Sequence, residues 1–209
     1  MIMFLLGAPG AGKGTLSAAL KEKYHVVHIS TGDCFRAIMK QDSPLANKVK
    51  DLVSKGILIP DEITNQVLKT ELDKHDIKKD IIVLDGYPRN VFQLEYLNSI
   101  AHADYAIDVD VPKDILIKRL TGRRSCPVCK TIYNIYFKKP KVEGKCDKDG
   151  ADLIQRSDDN LEVVNTRFEQ YEKLNAPLVK ACKDQNIYHK IDNTDLNKAL
   201  DQLKNICNL

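Results

Sequence analysis

Nine residues near the start of the chain carry the densest chemical signal: Gly7-Ala8-Pro9-Gly10-Ala11-Gly12-Lys13-Gly14-Thr15. They follow a short apolar run and precede an amphipathic stretch. Glycines at this spacing let backbone N–H groups turn inward onto an oxyanion. The N-terminus of a following helix adds partial positive charge, and the lysine adds a mobile cation. The chemistry is phosphate binding by Gly10, Ala11, Gly12, Lys13, Gly14 and Thr15. The commonest loop of this kind has Ser or Thr directly after the lysine. Here Gly14 stands there and the hydroxyl comes one residue later, at Thr15, which weakens the case for Thr15 as a direct magnesium ligand. The dinucleotide pattern G-x-G-x-x-G does not fit, because Thr15 occupies the place of its third glycine.

Three further clusters suit a second nucleotide. Ser30-Thr31-Gly32-Asp33-Cys34-Phe35-Arg36 sits at a strand end and helix start. Thr31 offers a hydroxyl and Arg36 a guanidinium one turn later; a helix cap beside a surface arginine explains the same residues. Gly56-Ile57-Leu58-Ile59-Pro60-Asp61 is an apolar turn that either covers a base or ribose with its backbone or anchors a connector in the core. Leu84-Asp85-Gly86-Tyr87-Pro88-Arg89 ends the most apolar strand, where open α/β sheets bind ligands. Asp85 matches an acid that holds magnesium, often through water. Arg89 and Gln93 are four residues apart and share a helix face. There the arginine can grip phosphate while the amide reads a base edge. Arg119 and Arg123, again four apart, join Arg156 and Arg167 on either side of one segment. With Lys13, Arg36 and Arg89 they form a set suited to several phosphates. Phosphoryl transfer needs such charge stabilisation and little covalent chemistry from the protein.

A separate constellation lies between Gly122 and Asp159, a turn-rich stretch that carries Cys126-Pro127-Val128-Cys129 and Cys146-Asp147-Lys148-Asp149. The first is a C-x-x-C knuckle and the second mirrors it as C-x-x-D. Zinc takes four tetrahedral S, N or O ligands, and no histidine lies in the stretch. Asp149, at knuckle spacing, is the best fourth ligand after Cys126, Cys129 and Cys146; Asp147 is adjacent to a cysteine and geometrically poorer. Four protein ligands make the site structural rather than catalytic. The competing reading is three free thiols, one pair of them able to form a disulfide. Cys34, Cys182 and Cys207 have no metal spacing and read as plain thiols.

The elements that must position these residues follow from periodicity. Apolar runs at Met1 to Leu6, Val26 to Ile29, Ile81 to Leu84, Tyr105 to Val109 and Ile187 to Ile191 predict buried strands. Helices are predicted from about Lys13 to Tyr24, in short polar pieces from Thr31 through Asp51 to Gly56, after Pro60, from Asn90, from Pro112 to about Thr121, and from Leu196 to Ile206. A long helix from Leu161 to about Asp184 contains Pro177, which predicts a kink or break. Strands alternating with helices predict an α/β protein with a parallel sheet covered on both faces. The stretch 122–159 reads as a small β-rich insertion.

Bulk composition excludes more than it identifies. With 209 residues, 43% apolar and 29% charged, the chain is an ordinary globular one. It has no run of 18 apolar residues, so no transmembrane helix is predicted. Met1 to Leu6 lacks the basic region and length of a signal peptide, and the expectation is a cytoplasmic protein with free thiols. The net charge of +3 resides in residues 122–159, with nine basic and six acidic side chains; the remainder is neutral. That balance gives no bulk argument for nucleic acid or an anionic membrane as partner.

Taken together, these motifs, in this order along the whole chain, resemble the bacterial adenylate kinases of the long, zinc-containing form. The resemblance implies a P-loop NTPase-type parallel sheet flanked by helices, a helical monophosphate-binding segment and a zinc-stapled lid. It implies the reaction ATP + AMP ⇌ 2 ADP with magnesium, and structural zinc. By that resemblance Gly10 to Thr15, Arg119 and Arg123 serve ATP, Ile132 and Tyr133 cover its adenine side, and Asp195 meets adenine through its backbone. Thr31, Arg36, Ile57, Leu58, Ile59, Gly86, Tyr87, Pro88, Arg89 and Gln93 hold AMP, while Arg156 and Arg167 bridge toward AMP and the transferring group. The implied parts are a core (1–29, 60–121 and 160–209), an AMP-binding segment (30–59) and a lid (122–159), in a monomer. A kinase for UMP or CMP is the alternative, although Thr31 and Gln93 favour adenine. A switch GTPase would need an Asn/Thr-Lys-x-Asp motif, which does not occur. A zinc-ribbon nucleic-acid module is disfavoured because the arginines already serve phosphate chemistry.

Overall fold

Apolar runs too short to build helices decide the centre of the molecule. Five consecutive buried side chains near the N-terminus suit a strand covered on both faces. In the computed structural model, which describes residues 1–209, that run is β1 (Ile2–Leu6). There follow α1 (Lys13–Tyr24), β2 (Val27–Ser30), α2 (Thr31–Ile38), α3 (Pro44–Ser54), α4 (Asp61–Leu72), β3 (Ile82–Asp85), α5 (Val91–Ile100), β4 (Tyr105–Asp110) and α6 (Lys113–Thr121). The chain then forms β5 (Arg123–Ser125), β6 (Ile132–Asn134), a 3-10 turn (Ser157–Asp159), α7 (Leu161–Asp184), β7 (Tyr188–Asp192) and α8 (Leu196–Cys207).

One parallel sheet forms in the order β2-β3-β1-β4-β7, as the alternating pattern predicts. Its register has a functional consequence. Leu5 pairs with Asp85, Ser30 also pairs with Asp85, and Leu6 pairs with Asp108. The carboxyl ends of four strands therefore meet at one edge, and the loops that leave it carry the candidate residues.

Burial on the two sheet faces differs by strand parity. Met3, Leu5, Val83, Ile107 and Ile191 face a cluster that takes Leu16 and Leu20 from α1, Leu116 and Leu120 from α6, and Leu200 and Leu203 from α8. Ile2, Phe4, Leu6, Ile82 and Leu84 face the other side, against Leu68 and Leu72 of α4 and Leu94 and Leu97 of α5. Helix α7 serves both, through Val164 and Phe168 on the first side and Leu178 and Cys182 on the second. That double anchorage corrects one expectation: Pro177 does not break the helix, which runs unbroken from Leu161 to Asp184. Proline forfeits one N–H bond, and packing on both sides of it holds the remainder.

Two smaller clusters stand apart from the sheet. Phe35, Val49 and Ile59 close one between α2, α3 and the turn before α4. Cys126, Tyr133 and Cys146 close the other. The latter segment has less strand than its pattern suggests: two three-residue strands and isolated bridges such as Lys145 with Asp152. No helix is long and apolar enough to cross a membrane.

Candidate active site

The loop between β1 and α1 is shaped by glycine where no other residue fits. Gly12 has φ +88°, and a Cβ there would lie 2.7 Å from Nδ2 of Asn193. Gly10 has φ +86°, and its Cβ would lie 2.8 Å from the Leu116 carbonyl. The loop thus lies directly on α6 and on the turn after β7. Asn193 is buried, and its Nδ2 donates to the Ala11 carbonyl at 2.6 Å. Arg119 donates from α6 to the Asn193 carbonyl at 3.0 Å and to the Ala11 carbonyl at 3.4 Å. The Lys13 ammonium folds back over the loop and donates to the carbonyls of Gly7 (2.6 Å) and Ala8 (3.0 Å). Burial pushes Lys13 down to about 8; Asp85 opposes the fall, and Arg89 and Arg167 deepen it.

Asp85, at the end of β3, faces this loop. A Cβ on Gly14 would lie 3.3 Å from its Oδ2, so glycine after the lysine leaves room for the carboxylate. Burial alone would raise the Asp85 carboxyl, but His28, Lys13 and Arg89 outweigh it and hold it below the ordinary range. His28 Nε2 lies 3.8 Å from the carboxylate. On the neighbouring strand end Thr31 is buried, and its Oγ1 donates to the Gly86 carbonyl at 3.1 Å. Gly86, at φ +82°, brings its backbone to within 2.9 Å (Cβ position) of that same Oγ1.

The arginines come together from five elements. Arg36 on α2 pairs with Asp33 at 2.8 Å. Arg89, after β3, donates its Nε to the Gly86 carbonyl at 2.8 Å. Arg123 on β5 clamps the fully buried Asp159 through two guanidinium nitrogens. Arg167 on α7 pairs with Asp158 at 2.8 Å and lies 3.8 Å from Asp159. Arg156 donates to Ser125 Oγ at 3.2 Å. Desolvation of its guanidinium among the neighbouring charges lowers Arg89 to about 10, and repulsion from Arg167 and Arg36 adds to it. Burial likewise lowers Arg156 to about 10, with Arg123 and Arg36 contributing. Crowded cations that hold one another's charge in check are primed for a polyanion. The acids now offsetting them, Asp33, Asp85, Asp158 and Asp159, mark where that charge would be taken up. Arg119 stands apart from the group, against the loop itself.

Several residues singled out by the sequence occupy unexpected surroundings. Tyr87 is buried, and its hydroxyl lies within hydrogen-bond distance of both Asn65 Oδ1 and the Gln93 carbonyl, each at 2.8 Å. Pro88, buried beside it, follows a cis peptide bond. Gln93 is buried too: Nε2 donates to Asp61 Oδ1 at 2.6 Å, and Oε1 accepts from the Arg89 backbone at 2.7 Å. Ile59 lies in the small cluster with Phe35 and Val49, while Ile57 is exposed. Gln170 of α7 ties their turn down, accepting from the Leu58 N–H and donating to the Gly56 carbonyl, both at 3.1 Å. The Tyr133 ring belongs to the cysteine cluster, with its hydroxyl 3.5 Å from Cys146 Sγ; Ile132 beside it is half-buried. Asp195 is exposed and caps α8 by accepting from Lys198 N at 2.9 Å. Sequence reasoning missed Asn193, Asp61, Asp159 and Gln170 as supports. Only Asp61 and Asp159 left a trace, as the residue at a helix start after Pro60 and as the last residue of the turn-rich stretch.

In the inserted segment, the ligand atoms of Cys126, Cys129, Cys146 and Asp149 lie within 4.8 Å of one another. Cys129 and Cys146 sulfurs are 3.5 Å apart, and Cys126 Sγ is 3.3 Å from Asp149 Oδ2. Zinc bonds of about 2.3 Å to sulfur and 2.0–2.2 Å to oxygen, arranged tetrahedrally, require edges of about 3.5–3.8 Å; the two separations given lie at or just below that range, so small side-chain shifts let this donor set close on the ion. Asp147 points elsewhere, its Oδ1 accepting from Lys141 N at 2.8 Å. Backbone N–H groups of Cys129 and Lys148 lie 3.4 and 3.5 Å from the Cys126 and Cys146 sulfurs, an arrangement that suits thiolates.

A phosphate loop after the first strand of a parallel sheet, faced by an acid at a neighbouring strand end and ringed by arginines, defines a phosphate-loop phosphotransferase. Comparison with known proteins narrows that class. The sequence model described as adenylate kinase matches residues 5–187. An adenylate kinase of Ureaplasma urealyticum serovar 10 is 47% identical over 193 residues, 92% of this chain and 91% of its own. One from Malacoplasma penetrans is 45% identical over 206 residues, covering 97% and 95%. One from Bacillus subtilis is 47% identical over 184 residues, covering 86% and 84%. The chain belongs to the adenylate kinase family.

Proposed function

We propose that the chain catalyses the reversible transfer ATP + AMP = 2 ADP. The observation that carries this reading is the convergence of Lys13, Arg36, Arg89, Arg123, Arg156 and Arg167 on one edge of the sheet. Two separate sets of strand ends feed that edge: the β1–α1 loop on one side, and the ends of β2 and β3 on the other. On this reading Gly10, Ala11, Gly12, Gly14 and Thr15 hold ATP phosphates through backbone N–H groups, and Lys13 turns from its carbonyls to the phosphates. Arg119, Arg123, Ile132 and the backbone of Tyr133 and Asp195 serve the rest of ATP. Thr31, Arg36, the turn Ile57 to Ile59, Gly86 and Arg89 hold AMP, with Gln93 at its base. Tyr87 and Pro88 shape that wall by packing rather than by contact. Arg156 and Arg167 lie between the two nucleotides. They stabilise the equatorial charge of the transferring phosphoryl, and the chain provides no covalent intermediate.

Asp85 is the residue to hold magnesium, through water, and the ion supplies charge neutralisation between the phosphates. Zinc on Cys126, Cys129, Cys146 and Asp149 staples the lid at 122–159, whose small buried cluster is Tyr133 packed with two of those ligands, Cys126 and Cys146. Residues 30–59 form the AMP-binding segment, and 1–29, 60–121 and 160–209 the core. Closure of the cationic lid excludes water, favouring transfer to AMP over hydrolysis. The nucleotides are its only partners, and it works as a monomer. The test is a product assay with ATP and each of AMP, UMP and CMP, on protein whose zinc content is measured. AMP should be the preferred acceptor; faster turnover of UMP or CMP would replace this reading.

A further inference from the structure

We propose that Asp61 determines base specificity, as a positioning residue that locks the Gln93 amide in one orientation; the inference rests on AMP meeting Gln93 as proposed above. Asp61 opens α4, and its carboxylate accepts three hydrogen bonds. Gln93 Nε2 donates at 2.6 Å to Oδ1, and Asn90 Nδ2 donates at 3.0 and 3.1 Å to Oδ1 and Oδ2. On the other side of the same amide, Oε1 accepts from the Arg89 backbone N–H at 2.7 Å. An ionised carboxylate only accepts and a backbone N–H only donates. A flipped amide would therefore set oxygen against carboxylate and N–H against N–H. Gln93 is only 2% exposed, and its contacts with Asp61 and Arg89 are internal, so water at the one edge left for the base cannot repair the clashes of the flipped form. Asn90 makes the frame rigid: its Oδ1 accepts from Gln93 N at 2.8 Å, capping α5, while its Nδ2 holds Asp61.

A glutamine amide offers two donor and two acceptor positions. Two are consumed, which leaves one N–H and one oxygen lone pair in an order that cannot reverse. Adenine presents an N6–H donor and an N1 acceptor. Hypoxanthine and guanine present an O6 acceptor and an N1–H donor in the same places. With the nucleotide's phosphate held by arginine, the fixed order accepts the first edge and rejects the second. The Arg89 backbone is part of the same frame, so Asp61 also ties the base reader to the residue that grips phosphate.

The test compares AMP and IMP as acceptors at saturating ATP, and measures binding of both by calorimetry without ATP. Asp61→Asn keeps the shape and lets the partner present either a donor or an acceptor. It should raise KM for AMP about tenfold and lower the AMP-to-IMP ratio of kcat/KM about tenfold, with KM for ATP unchanged, as expected for loss of one charge-assisted hydrogen bond. Asn90→Ser keeps the helix cap and loses the bond to Asp61, so it should move the same ratio in the same direction if Asp61→Asn folds poorly. Exposed Glu62→Gln is the neutral comparison. A folded variant with wild-type AMP-to-IMP selectivity overturns the lock. Wild-type protein that binds AMP and IMP equally also overturns it. AMP binding without transfer from ATP would instead overturn the functional reading and leave the lock to be judged on the binding ratio.

Discussion

Adding one methyl group at Gly12 and deleting the amide at Asn193 should each damage the phosphate loop, yet together cost less than their sum. Gly12 sits at φ +88°, where an L-residue costs about 1–2 kcal/mol. Its new Cβ would also lie 2.7 Å from Asn193 Nδ2, and overpacking of this kind costs about 1–3 kcal/mol. Gly12→Ala should therefore lose about 2–5 kcal/mol. Asn193→Ala removes the 2.6 Å bond to the Ala11 carbonyl, worth about 0.5–1.5 kcal/mol net, while Arg119 still reaches that carbonyl at 3.4 Å. In the double variant the backbone strain remains and the collision is gone. The coupling between the two sites should be about 1–3 kcal/mol, favouring the pair. Urea unfolding of wild type, the two single variants and the double variant measures it. Additivity within about 0.5 kcal/mol would refute the claim that the Asn193 amide fills the space that makes glycine obligatory at position 12. The nearest other atom, Arg119 Nη1 at 3.4 Å, is in ordinary contact and cannot supply the missing term.

Further outcomes are expected. With Lys13 lowered to about 8, polyphosphate binding at that pH should draw about half a proton onto the chain. Calorimetry of ATP binding in buffers of different ionisation heat reads this uptake, and Lys13→Met should abolish it. The same shift fixes a sign: between about 8 and 10.5 the unfolded chain holds the Lys13 proton that the folded chain has lost. Wild-type stability should therefore rise with pH relative to Lys13→Met across that window. Asp149→Ala should reduce bound zinc from one equivalent per chain to under half by metal analysis, whereas Lys13→Ala should abolish turnover and leave the metal. Asp159→Asn deprives Arg123 and Arg167 of a buried carboxylate and should cost about 3 kcal/mol in urea unfolding; a loss under about 1 kcal/mol would show the clamp to be energetically idle.

The candidate site was legible wherever a local pattern and a functional group coincide. The phosphate loop needs glycines at fixed offsets beside a strand, and those are written consecutively. The cysteine cluster is two knuckles, each internally spaced, and Asp149 followed from the second. Arginines at 36, 89, 123, 156 and 167 could be named one by one, but nothing in their spacing says that Arg89 feels the charge of Arg167 and Arg36, or that Arg156 feels that of Arg123 and Arg36. What supports the named residues was harder to read. Asn193 lies 182 residues from the carbonyl it holds, and Gln170 lies 112 from the Leu58 N–H it accepts.

The sequence by itself determined the strands, the helices, the loop and the cysteine knuckles, because periods of 2 and 3.6 and turn chemistry act over a few residues. Even Pro177 was placed properly in its helix; only its effect was misjudged, since packing of α7 on both faces of the sheet is not a local property. Tertiary structure alone decided that Tyr87 packs inward, that the Tyr133 ring serves the cysteine cluster, and that both hydrogen-bonding ends of Gln93 are engaged. Each outcome depends on which distant groups the sheet register brings within 3 Å, and a hydrogen bond is set by that distance and direction rather than by separation along the chain.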